Sequence, residues 1–403
     1  MDINFTRYAS LDQERQLKAR EYSRKRRQLS FVDMGIATLG ILLILTLGLD
    51  RWLRDLLQDA ASQAPFLRWQ PLSGWYPVQI LAYALILIIV YQLATLPLSY
   101  YGGFVLSHRY GLSVMVLKQW LGDLLKGFAL NLVLEALMIT LIYALLAYQP
   151  QWWWLWVALV LLFFSVIMAN LAPVLILPLF YKFTPLPEGE LTQRLLALAA
   201  RANTKVKGVF SMQMSNKTTA TNAALMGLGN TRRVVLGDTM TNNYTPDEIE
   251  VVLAHELGHH VHADIWKLLI SQSVLTLCGL FVANLVLHWV VDTLHFYRAL
   301  ADPATLPFLF LLIGLYSLIV MPLGNMYSRS MEYQADEYAL QSTQKIEAFK
   351  SVMTRLANQN LTEVEPSPIV EFLFHSHPSI NKRLKHAEEF AGRGSSVRTS
   401  VQP

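Results

Sequence analysis

Six stretches of the chain are apolar for about the twenty residues that a helix needs to cross a bilayer. They lie near Phe31–Leu49, Pro77–Leu98, Gly127–Tyr148, Trp152–Pro173, Lys267–Val291 and Leu306–Gly324, the first interrupted only by Asp33. Gln149-Pro150-Gln151 reads as a tight hairpin, and Trp152–Trp154 as an aromatic belt at a membrane interface. A different pattern fills 178–265. Leu191–Ala202 repeats like an amphipathic helix, and Val206–Met212 and Arg233–Gly237 alternate or cluster like strands. Between the two strands, Asn216–Asn230 is rich in Ser, Thr, Asn and Gly. Pro246–His262 predicts a helix with Thr245 as N-cap and Asp247-Glu248 in its first turn. After the sixth apolar stretch, Ser328–Gln341 and 344–358 read as helices, followed by a polar tail.

Composition agrees with a multi-spanning membrane protein that carries a polar part: 53% of the 403 residues are hydrophobic, only 15% are charged, and ten are Trp. The single cysteine, Cys278, lies in an apolar run, which excludes intramolecular disulfides and a cysteine-based metal site. The net charge of +4 is concentrated around Arg24-Lys25-Arg26-Arg27, directly before the first span. That position makes it a cytoplasmic membrane flank rather than a nucleic-acid site. Residues 1–30 are too long and too acidic for a signal peptide and are expected to form a cytoplasmic helix. Six crossings then place 99–126, 174–266 and 325–403 on the cytoplasmic side. The short segments 50–76, 148–151 and 292–305 fall outside.

The candidate chemistry lies in His255-Glu256-Leu-Gly-His259. Histidines four apart on a helix share one face, so both imidazoles reach one metal ion. Zinc held this way keeps a water whose pKa falls to about 7, and the intervening carboxylate is placed to take its proton. That is the chemistry of peptide hydrolysis. A third ligand is required, and Glu332 in Ser328-Arg329-Ser-Met-Glu332-Tyr-Gln-Ala-Asp336 is the best candidate. Asp336, one turn on, would accept the outer N–H of a liganding histidine. His262 is a rival, but three successive turns of a straight helix rarely converge on one ion.

H-E-L-G-H followed by S-R-x-x-E-x-x-A-D resembles the integral-membrane CAAX prenyl proteases of type 1, which are gluzincins. Leu177-Pro-Leu-Phe-Tyr-Lys-Phe-Thr-Pro-Leu186, Arg109-Tyr-Gly-Leu-Ser113 with Trp120, Asp123 and Lys126, and His377-Pro-Ser-Ile-Asn-Lys-Arg383 resemble further segments of that family. The resemblance covers roughly residues 100–390. It implies one zinc per chain, with His255, His259 and Glu332 as ligands, Glu256 as general base and Asp336 behind a ligand. His377 would donate to the oxyanion, and Arg383 would support substrate or His377. Asn222-Ala223 would be the edge strand that pairs with an extended substrate backbone.

The fold class expected is thus a multi-spanning α-helical membrane protein of about six spans, with a gluzincin-like α+β zinc metalloprotease domain on the cytoplasmic side. In the family the spans enclose a water-filled chamber. Asn131, Glu135 and Asn170, costly in lipid, suit its wall or the packing between helices. The organisation expected is a cytoplasmic segment 1–30, a membrane domain 31–176 that includes the amphipathic 99–126, and a first protease part 177–265. Two spans, 266–326, a second protease part 327–390 and a disordered tail 391–403 follow. Partners implied are the bilayer and a peptide or protein substrate, which in the family is prenylated; nucleic acid is not expected. The site would be cytoplasmic, at the inner membrane in a bacterium or the endoplasmic reticulum in a eukaryote. A general membrane-protein quality-control protease without a prenyl requirement is an alternative. So is a site-2-type intramembrane protease, but Thr245–Glu250 and His262–Asp264 are too polar for a bilayer core. A transporter with a structural metal would need a closed ligand set and no base. Eukaryotic members have seven spans, one more than is counted here.

Overall fold

The computed structural model describes residues 11–63, 77–227 and 229–399. Helix α1, Gln13–Thr46, opens where Asp12 accepts a hydrogen bond from Arg15 N (3.0 Å). It joins the expected cytoplasmic helix and the first span into one element, because no Pro or turn sequence separates them. Helix α2, Leu49–Gln63, occupies part of the short segment 50–76 expected to lie outside; residues 64–76 lie outside the described residues. Its apolar positions, spaced as on one helix face, bury Leu53, while Arg54 reaches Asp302 at 2.7 Å. Helix α3, Pro77–Tyr100, passes through a wider turn at Tyr101–Val105 into the short α4, Leu106–Arg109. Helix α5, Leu117–Tyr148, and α6, Trp153–Leu171, form the hairpin expected at Gln149–Gln151.

The polar block begins with strand β1, Phe183–Pro185, and helix α7, Glu190–Arg201. Strands β2, Val209–Met212, β3, Ala223–Met226, and β4, Arg233–Gly237, complete one sheet in the order β1-β2-β4-β3. The β2–β4 pair is parallel and the outer pairs are antiparallel, with Ala223 opposite Leu236. β3 is therefore an edge strand. After the short α8, Asp238–Thr241, comes α9, Pro246–Val261. Its start carries a reciprocal cap: Glu248 N donates to Thr245 Oγ1 (3.3 Å) and Thr245 N donates to Glu248 Oε2 (2.8 Å). Helix α10, Asp264–His288, is the fifth span. Helix α11, Leu306–Thr343, is the sixth span and the Glu332 helix in one. At 1.5 Å per residue it is roughly 57 Å long, well beyond a hydrocarbon core of about 30 Å, so its last turns project into the polar block. Helices α12, Ile346–Gln359, α13, Pro368–Phe374, and α14, Ile380–Thr399, follow. The stretch 391–403, expected to be disordered, is helical as far as Thr399. Arg393 Nη2, 3.0 Å from Glu337 Oε2, ties it to α11; residues 400–403 lie outside the described residues.

Among the described residues six helices are long and apolar enough to cross a membrane: Gln13–Thr46, Pro77–Arg109, Leu117–Tyr148, Trp153–Leu179, Asp264–Thr293 and Pro303–Thr343. They are packed at both ends. At one end α7, α9, α12, α14 and the sheet share a core around Leu236, Leu257, Phe349 and Leu384. At the other, α2 and the ends of α3, α5, α6, α10 and α11 pack around Tyr83, Tyr143, Trp153 and Leu287. Between these ends no residue is buried in 85–94, 113–135, 158–194, 265–278 or 310–330. The middles of the spans thus contribute few buried residues, although α10 and α11 touch there, the Tyr316 hydroxyl donating to Leu275 O (2.7 Å). Asn131 and Glu135 are exposed there, whereas the Asn170 amide donates to Val166 O within its own helix.

Candidate active site and metal centre

The site forms where α9 crosses α11. Gly258 allows the crossing: a Cβ there would lie 2.9 Å from Ala335 Cα and 3.2 Å from Ala335 O. With the backbones this close, Glu332 of α11 reaches both histidines of α9. Its Oε2 is 3.4 Å from His255 Nε2, and its Oε1 is 3.4 Å from His259 Nε2. The three ligand atoms lie within 4.8 Å of one another.

Each imidazole has its other nitrogen committed. His255 Nδ1 is 2.9 Å from Asp336 Oδ1, and His259 Nδ1 is 2.9 Å from Asp264 Oδ2. Both carboxylates accept from Nδ1–H and leave the Nε2 lone pairs aimed at Glu332. Asp264 reaches back because the chain breaks between α9 and α10 at Ala263, whose φ is +57°. Arg383 of α14 donates to Asp336 through Nε (2.8 Å) and Nη2 (2.5 Å), and that Nη2 lies 3.3 Å from His255 Nδ1. Arg383 was expected to support substrate or His377. It borders the cavity, yet its guanidinium is taken up by Asp336.

A small tetrahedral ion with nitrogen and oxygen ligands at 2.0–2.1 Å sets its ligand atoms roughly 3.4 Å apart; each imidazole Nε2 lies at that distance from one Glu332 oxygen, and the whole set falls within 4.8 Å. Glu332 Oε2 is buried without a well-formed hydrogen bond, so a lone pair stays free in the cluster. Charge agrees as well. With neutral imidazoles, Glu256, Asp264, Glu332 and Asp336 set four negative charges against the two of Lys267 and Arg383. The net of −2 matches a divalent cation. Burial lowers the His255 imidazole pKa, but its bonds to Asp336 and Glu332 outweigh this and push it up to about 9. His259 is likewise raised: burial opposes the shift and Glu332 drives it. Burial favours the neutral form of Glu332, but its histidine partners hold it well below the usual carboxylate range. The cluster attracts positive charge, and the residues fit a metal.

His255 and Glu332 border a cavity of 430 Å³, part of whose lining, Thr221 to Ala223, is the edge leading into β3. Glu256, Asn222 and Ala223 line it. Gly237 N donates to Asn222 O (2.8 Å), and Asn222 Oδ1 accepts from Ala223 N (2.9 Å); among the described residues no further strand pairs with the outer edge of β3. His377 also lines the cavity; its side chain is exposed and its Nδ1 is 2.9 Å from Glu332 Oε2. The loop that carries it is fixed by Arg329, which donates to His375 O (2.6 Å), and by Glu371, which accepts from Ser379 N (3.0 Å). His262 points elsewhere, its ring against Tyr338, and is not part of the cluster.

Asp264, Glu371 and Asn360 were not singled out from the sequence. The one local signal was for Asp264, an acidic residue at the break after the His259 helix. Arg329 was visible only as part of a motif.

Apolar spans packed against a polar block with two histidines, a carboxylate ligand and a further carboxylate in one cleft define an integral-membrane metalloendopeptidase. Residues 185–391 match the model of peptidase family M48, and residues 7–182 match that of the CAAX prenyl protease N-terminal region, described as five membrane helices. In that second stretch four helices are long and apolar enough to span, among the described residues. The chain is 30% identical to an uncharacterized metalloprotease, YhfN, of Bacillus subtilis, over 92% of this chain and 85% of the relative. It is 31% identical to CAAX prenyl protease 1 of Saccharomyces cerevisiae, over 72% of this chain and 68% of that one. The crystal structure of S. mikatae Ste24p superposes with a TM-score of 0.78 at 26% identity, covering 94% of this chain and 89% of that chain. The protein belongs to peptidase family M48, and membership implies a bound metal.

Proposed function

We propose that this protein is a zinc endopeptidase that cuts membrane-associated polypeptides close to their C-termini, on the cytoplasmic face of the membrane. The observation that carries the reading is the pair of imidazoles, each locked at Nδ1 by a carboxylate and turned through Nε2 toward Glu332, beside a free sheet edge. Relatives named for processing CAAX proteins supply the substrate class, a C-terminal CAAX-type peptide with or without a prenyl group. The length matched by the Bacillus relative favours a bacterial inner-membrane setting. The basic run of α1 supports a cytoplasmic cleft and cytoplasmic termini.

His255, His259 and Glu332 would hold one zinc ion. When bound, zinc lowers the pKa of a coordinated water and polarises the scissile carbonyl. This chain's own residues do the rest. The substrate backbone adds to the edge at Asn222-Ala223, which fixes the scissile amide above the cluster without reading most side chains. A Glu256 carboxylate oxygen takes a proton from the attacking water and passes it to the departing amine. His377 swings from Glu332 to donate an N–H to the developing oxyanion. Asp336 and Asp264 hold the imidazole tautomers, and Arg383 holds Asp336.

The test is zinc quantification of the detergent-purified protein, with cleavage assays on a farnesylated C-terminal peptide and its unprenylated twin. One zinc per chain and cleavage beside the modified cysteine are expected. Cleavage of both peptides at equal efficiency would assign general membrane-protein turnover in place of prenyl-peptide processing. Absence of zinc-dependent cleavage would refute both.

A further inference from the structure

A helix leaves its last four carbonyls without partners inside it, and in the seven-residue α13 those are more than half. Helix α11 supplies donors for them. Asn325 Nδ2 donates to Leu373 O (2.7 Å), and Arg329 Nη1 donates to Glu371 O (3.0 Å) and to His375 O (2.6 Å), just past the helix. No carboxylate among the described residues pairs with Arg329, so its guanidinium is committed to backbone oxygens. Asn325, Arg329, Glu332 and Asp336 follow at steps of four, three and four residues, which keeps them on one face of α11. One face of one helix therefore carries a candidate metal ligand, the carboxylate behind His255 and the donors that hold α13.

The loop from His375 to Ser379 is held at both ends, with His377 midway. Arg329 takes the carbonyl of His375 on one side. On the other, Glu371 Oε1 accepts from Ser379 N (3.0 Å), and its Oε2 accepts from Lys382 Nζ (2.8 Å). Pro378, Ser379 and Ile380 are buried, whereas the His377 side chain is 64% exposed. The ring is free to turn, but its backbone is clamped. An oxyanion donor acts at about 2.7–3.1 Å from the developing charge, and a misplacement of about 1 Å can cost about 100-fold in rate. Arg329 itself does not line the cleft, so its influence on the chemistry runs through the loop.

We propose that Arg329 is a positioning residue: by tying His375 O to the helix that bears Glu332, it keeps His377 in register with the metal centre. This rests on the peptidase reading above and on the oxyanion role of His377 within it. Loss of Arg329 leaves the Glu371 clamp and the ligand cluster in place, so the protein is expected to fold and to bind zinc while the loop loses its fixed frame.

The experiment is a double-mutant cycle in the full-length, zinc-loaded protein in detergent, on one peptide that the wild type cleaves. His377→Ala is expected to lower kcat about 100- to 1,000-fold, the scale of one oxyanion donor. Arg329→Ala should lower kcat about 10- to 100-fold, with KM and zinc content unchanged. In the His377→Ala background the same change should cost no more than about twofold, because the group it positions is gone. Arg329→Lys should recover part of the loss, since an ammonium lacks the planar fork that reaches two carbonyls. An equal loss in both backgrounds would overturn the proposal and make Arg329 a general support of the fold; so would an unchanged kcat or a loss of zinc in Arg329→Ala. If the alanine variant is not recovered folded, Arg329→Gln takes its place in the cycle, and an unchanged kcat or an equal loss in both backgrounds there is equally decisive against the proposal. Full activity in His377→Ala would remove the oxyanion role of His377 and the proposal with it. Failure of the zinc-loaded wild type to cleave any peptide would instead remove the peptidase reading itself.

Discussion

Replacing Gly258 by Ala adds one methyl group at the point where α9 and α11 touch. Helix propensity alone favours the change by about 1 kcal/mol, because Gly is the poorer helix former. Packing opposes it. The new Cβ would stand 2.9 Å from Ala335 Cα and 3.2 Å from Tyr338 Cβ, and the first of these is backbone that cannot rotate away. Ordinary carbon contacts lie near 3.5–4.0 Å, so the helices must part by roughly 0.6–1 Å. Overpacking of this kind typically costs about 1–3 kcal/mol, so the net effect is destabilising or close to neutral. The metal site is the more sensitive reporter. Metal–ligand distances tolerate about ±0.2 Å, and Glu332 sits less than one turn before Ala335 on the displaced helix. Gly258→Ala is expected to weaken zinc binding at least tenfold, measured by competition with a chromogenic chelator, while the far-ultraviolet circular dichroism stays unchanged. A variant that binds zinc as tightly as the wild type and melts higher would show that the close crossing does not position Glu332.

Two further outcomes follow from the geometry. Asp264→Asn keeps the shape but removes the charge facing His259 Nδ1, so zinc affinity should fall about 10- to 100-fold with little change in fold; equal affinity would deny Asp264 any hold on the tautomer. Glu248 is a pH-dependent element: burial raises its pKa, but Ser351, the Thr245 backbone and Arg355 hold it below the ordinary value of 4.5. Because the folded value is the lower one, the stabilisation is complete above about pH 4.5 and is lost as pH falls through the folded value. The thermal midpoint should therefore drop with acidification below pH 4.5, and Glu248→Gln should flatten that drop while lowering the midpoint at neutral pH. An unchanged slope in the variant would reassign the acid sensitivity to other groups.

The six spans, the α9 helix with its Thr245 cap and the His255–Glu256–His259 face were legible because each is written in contiguous residues with a clear period. The free edge at Asn222-Ala223 came only from a resemblance; its edge position depends on β3 pairing, among the described residues, with β4 alone. Three-residue β1 is too short for an alternating pattern to show. The unity of α1 and of α11 was missed because the change from polar to apolar surroundings resembles a boundary, although nothing breaks the helix there. The amphipathic face of α2 was present in Leu49, Leu53 and Leu57, but its charged residues made the segment read as a linker. Asp264, Asn360 and the Arg383–Asp336 pairing belong to contacts across more than one element. Arg383 and Asp336 are 47 positions apart, and local periodicity says nothing about a pair at that separation.

The central claim is that Glu256 moves protons while His255, His259 and Glu332 hold the metal. Glu256→Gln separates the two, since the amide keeps the volume and loses the basicity. Zinc content and cleavage, measured on the same purified preparation, should show one zinc per chain with cleavage reduced by at least about 100-fold, the scale on which general bases contribute. Near-normal cleavage by the zinc-loaded variant would contradict the mechanism, and loss of the zinc would make Glu256 a ligand.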